Sequence, residues 1–469
     1  MNFVQVEFLY FFSIVLTVYW LLSKRQWQNL FLVICSAIFY GWVHPWFLFL
    51  LYGSAILDYK VGLLINERPE QKKMYLSLSL CGNLGMLGYF KYTNFFIDNF
   101  IVVFESLGIQ SNLSSLNIIL PVGISFFTFQ TMSYTLDIYF GTLKPRKHFI
   151  DYLVFISFFP QLVAGPVERA ATLLPQMERE RVFSWDMIIS GFNLALWGAF
   201  KKVCIADTIA MYVNRVFQLE DPSGAMIWAA TLGFTIQILT DFSGYTDIAR
   251  GTARMMGFEL MENFKNPYMA RNPSHFWRRW HISFSTWIRD YLYIPLGGSR
   301  GTFAQMTKAT FGAMLLSGLW HGASWTFVLW GAYHAALLTM YRLVAPKIPK
   351  EFRYSKIGTT GAIGLMFIFT TIGWLIFRET DMAQLSKFFL LNPFAGTDNE
   401  FLAAYILFAM CILCSIPLIS GLIFTAHIFP RVKDKVWFPL LRTTYWGVLA
   451  ICIFIMGRST SNDFIYFQF

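Results

Sequence analysis

Long apolar runs separated by short charged segments make up most of this chain. Several runs approach the roughly 20 residues that a helix needs to cross a bilayer. The pattern predicts helices at 8–22, 28–43, 46–65, 74–90, 118–140, 150–164, 187–213, 225–243, 309–340, 357–377, 401–426 and 437–457. The run 309–340 has room for a tilted helix followed by a turn or a second element. We therefore predict an all-α polytopic membrane protein whose single domain, 1–469, contains about ten to twelve transmembrane and re-entrant helices.

Basic residues lie in the short segments between the apolar runs. The clusters are Lys24/Arg25, Arg68 with Lys72/Lys73, Lys144/Arg146/Lys147, and Arg179/Arg181. Positively charged loops stay in the cytoplasm, so we place these segments there. The first helix then begins outside, and its basic C-terminal flank argues against a cleavable signal peptide. Because 95–117 has no basic residue, we expect 95–107 to be an external surface or re-entrant element.

The composition agrees with a membrane protein. The chain is 56% hydrophobic and 19% aromatic, and only 14% of it is charged, against about 25% in soluble proteins. The net charge of +10 follows from the basic loops, so lipid is the expected surrounding and nucleic acid is not an expected partner. Cys411 and Cys414 have CxxC spacing, but their flanks are apolar and no second pair accompanies them. We interpret them as two small residues on one helix face and expect no metal site.

Two segments depart from the simple helical pattern. The stretch 158–166, FFPQLVAGP, contains two prolines and predicts a broken or re-entrant element. The stretch 262–301 alternates basic residues with Trp and Tyr, which is typical of an interfacial cytoplasmic or re-entrant segment. Its prolines and its paired glycines, Gly297 and Gly298, prevent one long helix.

His321 is the strongest candidate for chemistry. It lies in the sequence GLWHG at 318–322, inside the apolar run 309–340. An ionisable side chain at membrane depth is costly, about 3 kcal/mol for a charged residue at a helix centre, so it indicates a functional site. An unperturbed imidazole titrates near pH 6.5, roughly where a general base is most effective.

His281 is the second candidate, because it follows a basic-aromatic sequence and opens an amphipathic stretch. A zinc site made of His281 and His321 lacks a third ligand with suitable spacing. On one straight helix, His334 would lie too far from His321 to share a contact. No hydrolase elbow, phosphate loop or dinucleotide fingerprint occurs, which excludes the usual hydrolases and ATP-driven pumps.

A further polar intrusion, DFSGYTD at 241–247 followed by Arg250, ends the apolar run 225–243. Asp247 and Arg250 are three residues apart and can pair on one helix face. Two interpretations stay open. The acidic residues line a polar tunnel wall, or they form an internal ion pair that locks helix ends.

Several of these stretches together resemble the membrane-bound O-acyltransferase (MBOAT) family, in particular its bacterial alginate O-acetyltransferase branch. The resemblance covers essentially the whole chain. The matching stretches are FWRRWHISFSTWIRDYLYIPLGG at 276–298, GLWHG at 318–322, LPVGISFFTFQ at 120–130, FFPQLVAGP at 158–166, DFSGYTD at 241–247 and FIYFQF at 464–469.

The resemblance implies a ring of helices around a central funnel. It places the family's invariant histidine at His321 and a less universal polar position at His281. It also implies a cytoplasmic acyl-thioester donor, acetyl-CoA or an acyl carrier, with no tightly bound cofactor. In the bacterial branch, the acyl group passes outward across the inner membrane, usually to a polysaccharide with the help of an SGNH-type partner.

The hypothesis is therefore that His321 acts as general base in acetyl transfer while His281 orients the donor or stabilises the oxyanion. The expected substrate or tunnel-lining residues are Ser317, Trp320, Trp280, Arg278, Arg279, Asp241 and Asp247. The two arginines suit the phosphates of a coenzyme A or phosphopantetheine donor. The alternatives are a non-catalytic conduit, an assembly platform of a polysaccharide-export complex, or acylation of lipid or protein.

Overall fold

The computed structural model describes residues 1–110, 113–163, 165–457 and 465. This part of the chain is helical, and no β-strand occurs in it. The first eleven helices are α1 (Val6–Leu21), α2 (Arg25–Gly41), α3 (Phe47–Glu67), α4 (Lys72–Leu87), α5 (Thr93–Ser106), α6 (Ile124–Tyr139), α7 (Phe149–Ser157), α8 (Phe159–Leu162), α9 (Ala170–Glu178), α10 (Trp185–Phe200) and α11 (Asp207–Phe217). The others are α12 (Gly224–Met255), α13 (Pro273–Trp277), α14 (Ile282–Ile288), α15 (Phe303–His321), α16 (Trp325–Val344), α17 (Lys350–Tyr354), α18 (Lys356–Arg378), α19 (Met382–Leu390), α20 (Asp398–Ile423), α21 (Phe429–Val432) and α22 (Phe438–Met456).

Within the described residues, six helical stretches are long and apolar enough to cross a membrane. They are Phe47–Glu67, Trp185–Phe217, Gly224–Met255, Lys356–Arg378, Asp398–Val432 and Phe438–Met456. The predicted all-α polytopic membrane protein is confirmed. The ring of about ten to twelve elements around a funnel stays a prediction.

Helix α12 is the central helix of the bundle. In its most apolar 18-residue window, 72% of the residues are buried, against 6% for α22. The helix continues through the polar stretch to Met255, so the helix end predicted at 243 is wrong. It can continue because Asp241 and Asp247 are paired with cations of the neighbouring segment Lys201–Ala206, a π-helical turn between α10 and α11.

The predicted interruptions are present. The stretch at 158–162 breaks between α7 and α8, with Pro160 in the first turn of α8. The segment 262–301 consists of short pieces, including α13, α14 and the π-helical turn Arg289–Tyr293, and forms no long helix. Helix α5 has no buried residue, which agrees with the prediction of a surface element at 95–107.

The run 309–340 forms two antiparallel helices, α15 and α16, joined by a short turn at 322–324. Thr302 and Gln305 form a capping box at the start of α15, and Ser324 caps α16. The two helices approach closely where glycines remove side chains. A Cβ atom on Gly318 would overlap the carbonyl oxygen of Phe327, and one on Gly331 would overlap that of Met314.

Gly318→Ala is expected to destabilise this hairpin, because the added methyl group meets backbone that cannot rotate away. Overpacking of this kind costs about 1–3 kcal/mol. The thermal midpoint in detergent should fall by several degrees. Gly364→Ala on α18, where a Cβ meets nothing within 4 Å, is the control and should not lower it. Equal midpoints for the two variants would contradict the close approach.

Candidate functional site

His321 is the last residue of α15 and lies at the tip of the hairpin. Its side chain is buried, with 3% of the residue exposed. Aromatic rings surround the imidazole, with centroid distances of 4.9 Å to Trp320, 5.0 Å to Trp330, 5.2 Å to Phe377 and 5.5 Å to Phe284. The ring is therefore held inside the bundle by side chains from α14, α15, α16 and α18.

His281 occupies an unusual backbone position just before α14. Its φ angle is +43°, in the left-handed region, and the residue is 1% exposed. Asn263 fixes the start of α14, because its carbonyl and side-chain oxygens accept hydrogen bonds from the amides of Ile282 (3.0 Å) and Ser283 (3.1 Å). The Ser283 hydroxyl accepts from the amide of Val167, which ties this start to the segment after α8.

The two histidines share aromatic neighbours. Phe284 lies 4.9 Å from the His281 ring and 5.5 Å from the His321 ring. Trp320 lies 6.1 Å from His281 and 4.9 Å from His321. The fold thus brings together two imidazoles that are 40 positions apart in sequence, in one apolar enclosure. Their catalytic roles stay predictions.

His334 lies on the second helix of the hairpin, so the separation from His321 that a straight helix would impose does not apply. Because α16 turns back along α15, His334 packs 4.7 Å from Trp330, whose ring also contacts His321. His334 is buried and stacks near Phe276 at 6.0 Å. A third imidazole therefore lies one aromatic ring away from His321.

The predicted lining residues on the hairpin and before α14 occupy different places. Ser317 is buried one helical turn before His321. Trp320 contacts both histidines. Trp280 is buried and packs on Trp374 at 4.6 Å, so it supports the wall that carries Trp330 and Phe377.

Arg278 and Arg279 line an open cleft of about 520 Å³. The other lining residues are Glu262, Phe264, Lys265, Asn266 and His275. Arg279 donates a 2.7 Å hydrogen bond to Nε2 of His275 and another to the carbonyl of Lys265. Partial burial, followed by the charges of the nearby arginines, lowers the pKa of His275. The imidazole is thereby favoured in its neutral form, which is the form that can accept the bond from Arg279.

Asp241 and Asp247 belong to a charged cluster between α12 and the turn Lys201–Ala206. Lys202 lies 2.7 Å from both Asp241 and Asp207, and Lys201 lies 2.6 Å from Asp247. Arg250 is 3.6 Å from Asp247, as the i, i+3 spacing predicted. These contacts favour the ion-pair interpretation, while a tunnel-lining role stays a prediction. The amide of Ile465 also donates to Asp241; the other residues of the stretch 464–469 lie outside the described part of the chain.

Sequence reasoning missed Lys91 and Tyr92, which contact the backbone at the end of α15. Lys91 Nζ donates to the carbonyl oxygens of Trp320 (2.7 Å) and His321 (3.0 Å), and Tyr92 Oη donates to that of Leu319 (2.7 Å). A single lysine at the end of the apolar run 74–90 was the available signal. It could not be assigned a partner, because the contact spans more than 220 positions.

The sequence model of the MBOAT, membrane-bound O-acyltransferase family matches residues 142–377, a segment that contains both His281 and His321. The chain belongs to the MBOAT family. It is an O-acyltransferase and a multi-pass membrane protein, as the resemblance implied.

Relatives that are similar over most of this chain support its membership of the MBOAT family. A probable alginate O-acetylase AlgI of Pseudomonas aeruginosa is 40% identical over 382 residues, covering 80% of this chain and 71% of the relative. A peptidoglycan O-acetyltransferase of Helicobacter pylori is 34% identical, covering 76% of this chain and 72% of the relative. A teichoic acid D-alanyltransferase of Bacillus subtilis is 29% identical, covering 56% and 69%.

Proposed function

We propose that this MBOAT protein transfers an acetyl group from a cytoplasmic thioester to hydroxyl groups of an extracytoplasmic polysaccharide, with His321 as general base. The observation that carries the proposal is the buried imidazole at the hairpin tip, enclosed by aromatic rings and lying within the family segment. An imidazole is suited to proton transfer near neutral pH.

The chemistry needs one proton acceptor and no cofactor. Nε2 or Nδ1 of His321 takes the proton of the acceptor hydroxyl as that oxygen attacks the thioester carbonyl carbon. The new C–O ester bond forms, the C–S bond breaks, and the proton passes to the leaving thiolate. Proton transfer by a positioned base typically contributes about 10²- to 10⁴-fold in rate.

His281 and the aromatic enclosure serve the same reaction. The His281 ring, which shares Phe284 and Trp320 with His321, can donate a hydrogen bond to the developing oxyanion. The apolar rings exclude water, and a thioester held there is protected from hydrolysis. This accounts for an acceptor hydroxyl, rather than water, receiving the acyl group.

The donor reaches the site from the cleft lined by Arg278 and Arg279, where guanidinium groups suit the phosphates of acetyl-CoA or of a carrier-bound phosphopantetheine. Phe264 of this cleft lies 5.0 Å from Trp280, the residue before His281, so the cleft borders the aromatic wall of the histidine enclosure. Lys265, on the same cleft, adds positive charge. Glu262 also lines the cleft, and its carboxylate reduces the attraction of the cleft for the donor's phosphates.

The acceptor is inferred from the relatives, whose names include acetylation of alginate and of peptidoglycan. We place this chain in the bacterial inner membrane, where it would hand the acetyl group to an SGNH-type extracytoplasmic partner or directly to a glycan such as alginate. The choice of acetyl rests on the two more similar relatives, whereas the less similar Bacillus relative is named for D-alanyl transfer.

The test is labelled transfer across a sealed membrane. The full chain is reconstituted in proteoliposomes with [14C]acetyl-CoA on the side of the basic loops and the polysaccharide, with or without the partner, on the other side. Alkali-labile label on the polysaccharide or partner is expected. If the label stays on acetyl-CoA in both orientations of the reconstituted protein, the conduit or platform alternatives are favoured.

A further inference from the structure

The last backbone carbonyl groups of α15 need hydrogen-bond donors from outside the helix. The last carbonyl groups of a helix have no intrahelical N–H partner. In α15 these include the carbonyls of Leu319, Trp320 and His321, and the chain turns away in an extended conformation at Gly322. At this depth in the bundle, unsatisfied carbonyls are costly, so the donors that reach them matter for the position of His321.

Lys91 and Tyr92 supply those donors. Both belong to Gly88–Tyr92, a π-helical turn between α4 and α5. Lys91 bridges the carbonyls of Trp320 and His321 with one ammonium group, while Tyr92 binds the carbonyl of Leu319. Among the described residues, no carboxylate forms a salt bridge with Lys91, so its charge is directed at the carbonyl end of the helix, where a cation is favourable.

Residues of α5, which follows Lys91 and Tyr92 in the chain, contact the start of α16 on the other side of the hairpin turn. Asn99 of α5 accepts a 2.8 Å hydrogen bond from the indole of Trp325, the first residue of α16. Phe95 contacts the same indole at 5.7 Å. Residues 91–99 therefore contact the chain on both sides of the turn after His321.

We propose that Lys91 is a positioning residue for acyl transfer, which fixes the backbone of Trp320 and His321 and thereby the direction of the imidazole. This inference rests on the proposed function of His321. Lys91 itself need not touch donor or acceptor. Because the His321 ring is attached to a backbone whose carbonyl Lys91 binds directly, a displaced backbone moves the base from its working position.

Lys91→Met keeps the apolar stem and removes the ammonium donors. We expect kcat for acetyl transfer to fall by about 10²-fold, the effect of a displacement near 1 Å, while KM for the thioester changes by less than about threefold. Lys91→Arg, which can donate to two carbonyls, should stay within about tenfold of the wild type. Lys308→Met removes an exposed lysine from the other end of α15 and should leave transfer unchanged.

Hydrogen exchange followed by mass spectrometry gives a readout that does not depend on activity. In Lys91→Met, amide exchange in peptides covering 318–325 should rise about tenfold as the helix end loses its donors, while exchange in α12 and the thermal midpoint stay near the wild-type values. If the wild type transfers no acetyl group, the proposed function fails, and this exchange measurement still decides whether Lys91 holds the helix end.

Three results would overturn the role of Lys91. The first is a methionine variant with kcat within about threefold of an active wild type. The second is an arginine variant as inactive as the methionine variant. The third is increased exchange throughout the protein, which would assign Lys91 to general stability and not to the placement of His321.

Discussion

Replacing His321 with glutamine should reduce acetyl transfer by about 10²- to 10⁴-fold. Glutamine has a similar volume and can form hydrogen bonds, but it cannot accept a proton near neutral pH. The aromatic enclosure of Trp320, Trp330, Phe377 and Phe284 should tolerate it. The loss is therefore expected in kcat, with the protein still folded and inserted.

The measurement is the rate of labelled acetyl transfer in proteoliposomes, with gel filtration and thermal midpoint as controls for folding. His148→Gln, at an exposed histidine before α7, is the matched control and should retain full activity. Undiminished transfer by the His321 variant, together with a transfer-active wild type, would remove His321 from the reaction.

The second large effect is expected on stability, from Lys202→Met. Lys202 is 1% exposed and lies 2.7 Å from both Asp207 and Asp241. Removing the cation leaves two carboxylates in the interior without it, and breaking a buried pair in this way costs about 3–5 kcal/mol. We expect poor insertion or a strongly lowered thermal midpoint, whereas Lys347→Met, at an exposed lysine, should behave like the wild type.

A second substitution separates the two interpretations of Asp241. Adding Asp241→Asn to Lys202→Met removes one of the stranded charges and should recover part of the stability, because the two sites are directly coupled. If acetyl transfer recovers with stability, Asp241 serves the ion-pair cluster. If stability recovers and transfer does not, Asp241 contributes to the path of the acyl group. No recovery of stability would contradict the pairing itself.

Much of the fold could be predicted because the length of an apolar run indicates whether it can form a helix that crosses the membrane. The predicted runs at 46–65 and 357–377 coincide with α3 and α18 to within two residues. The boundary near 243 was wrong for a physical reason: hydropathy treats Asp241 as the end of a run, whereas Lys202 neutralises it and the helix continues to Met255.

The site was only partly predictable. His321 and His281 were found because an imidazole among apolar residues is conspicuous, and because the stretches around them resemble the family. Their proximity could not be read from spacing, since it depends on how α14 packs against the end of α15 through Phe284 and Trp320. Lys91 was missed for the same reason, because its partners are backbone carbonyls and carry no signature in the sequence.

The turn between α15 and α16 determines how close His334 lies to His321. A continuous helix through 309–340 would separate His321 from His334 by more than three turns. The turn at 322–324 folds α16 back, so that Trp330 contacts both imidazoles. The length of the run 309–340 indicated room for a turn, but periodicity could not locate it, because most of the residues around it are apolar, glycine or small.

The left-handed backbone at His281, with φ of +43°, narrows the range of side chains that can stand there. Outside glycine, asparagine, aspartate and histidine are the residues that enter this conformation most readily, and β-branched side chains are strongly disfavoured. Variation at this position among relatives should therefore be confined mainly to those four types. For protein engineers, asparagine is the replacement that deletes the ring while leaving the peptide geometry before α14 intact.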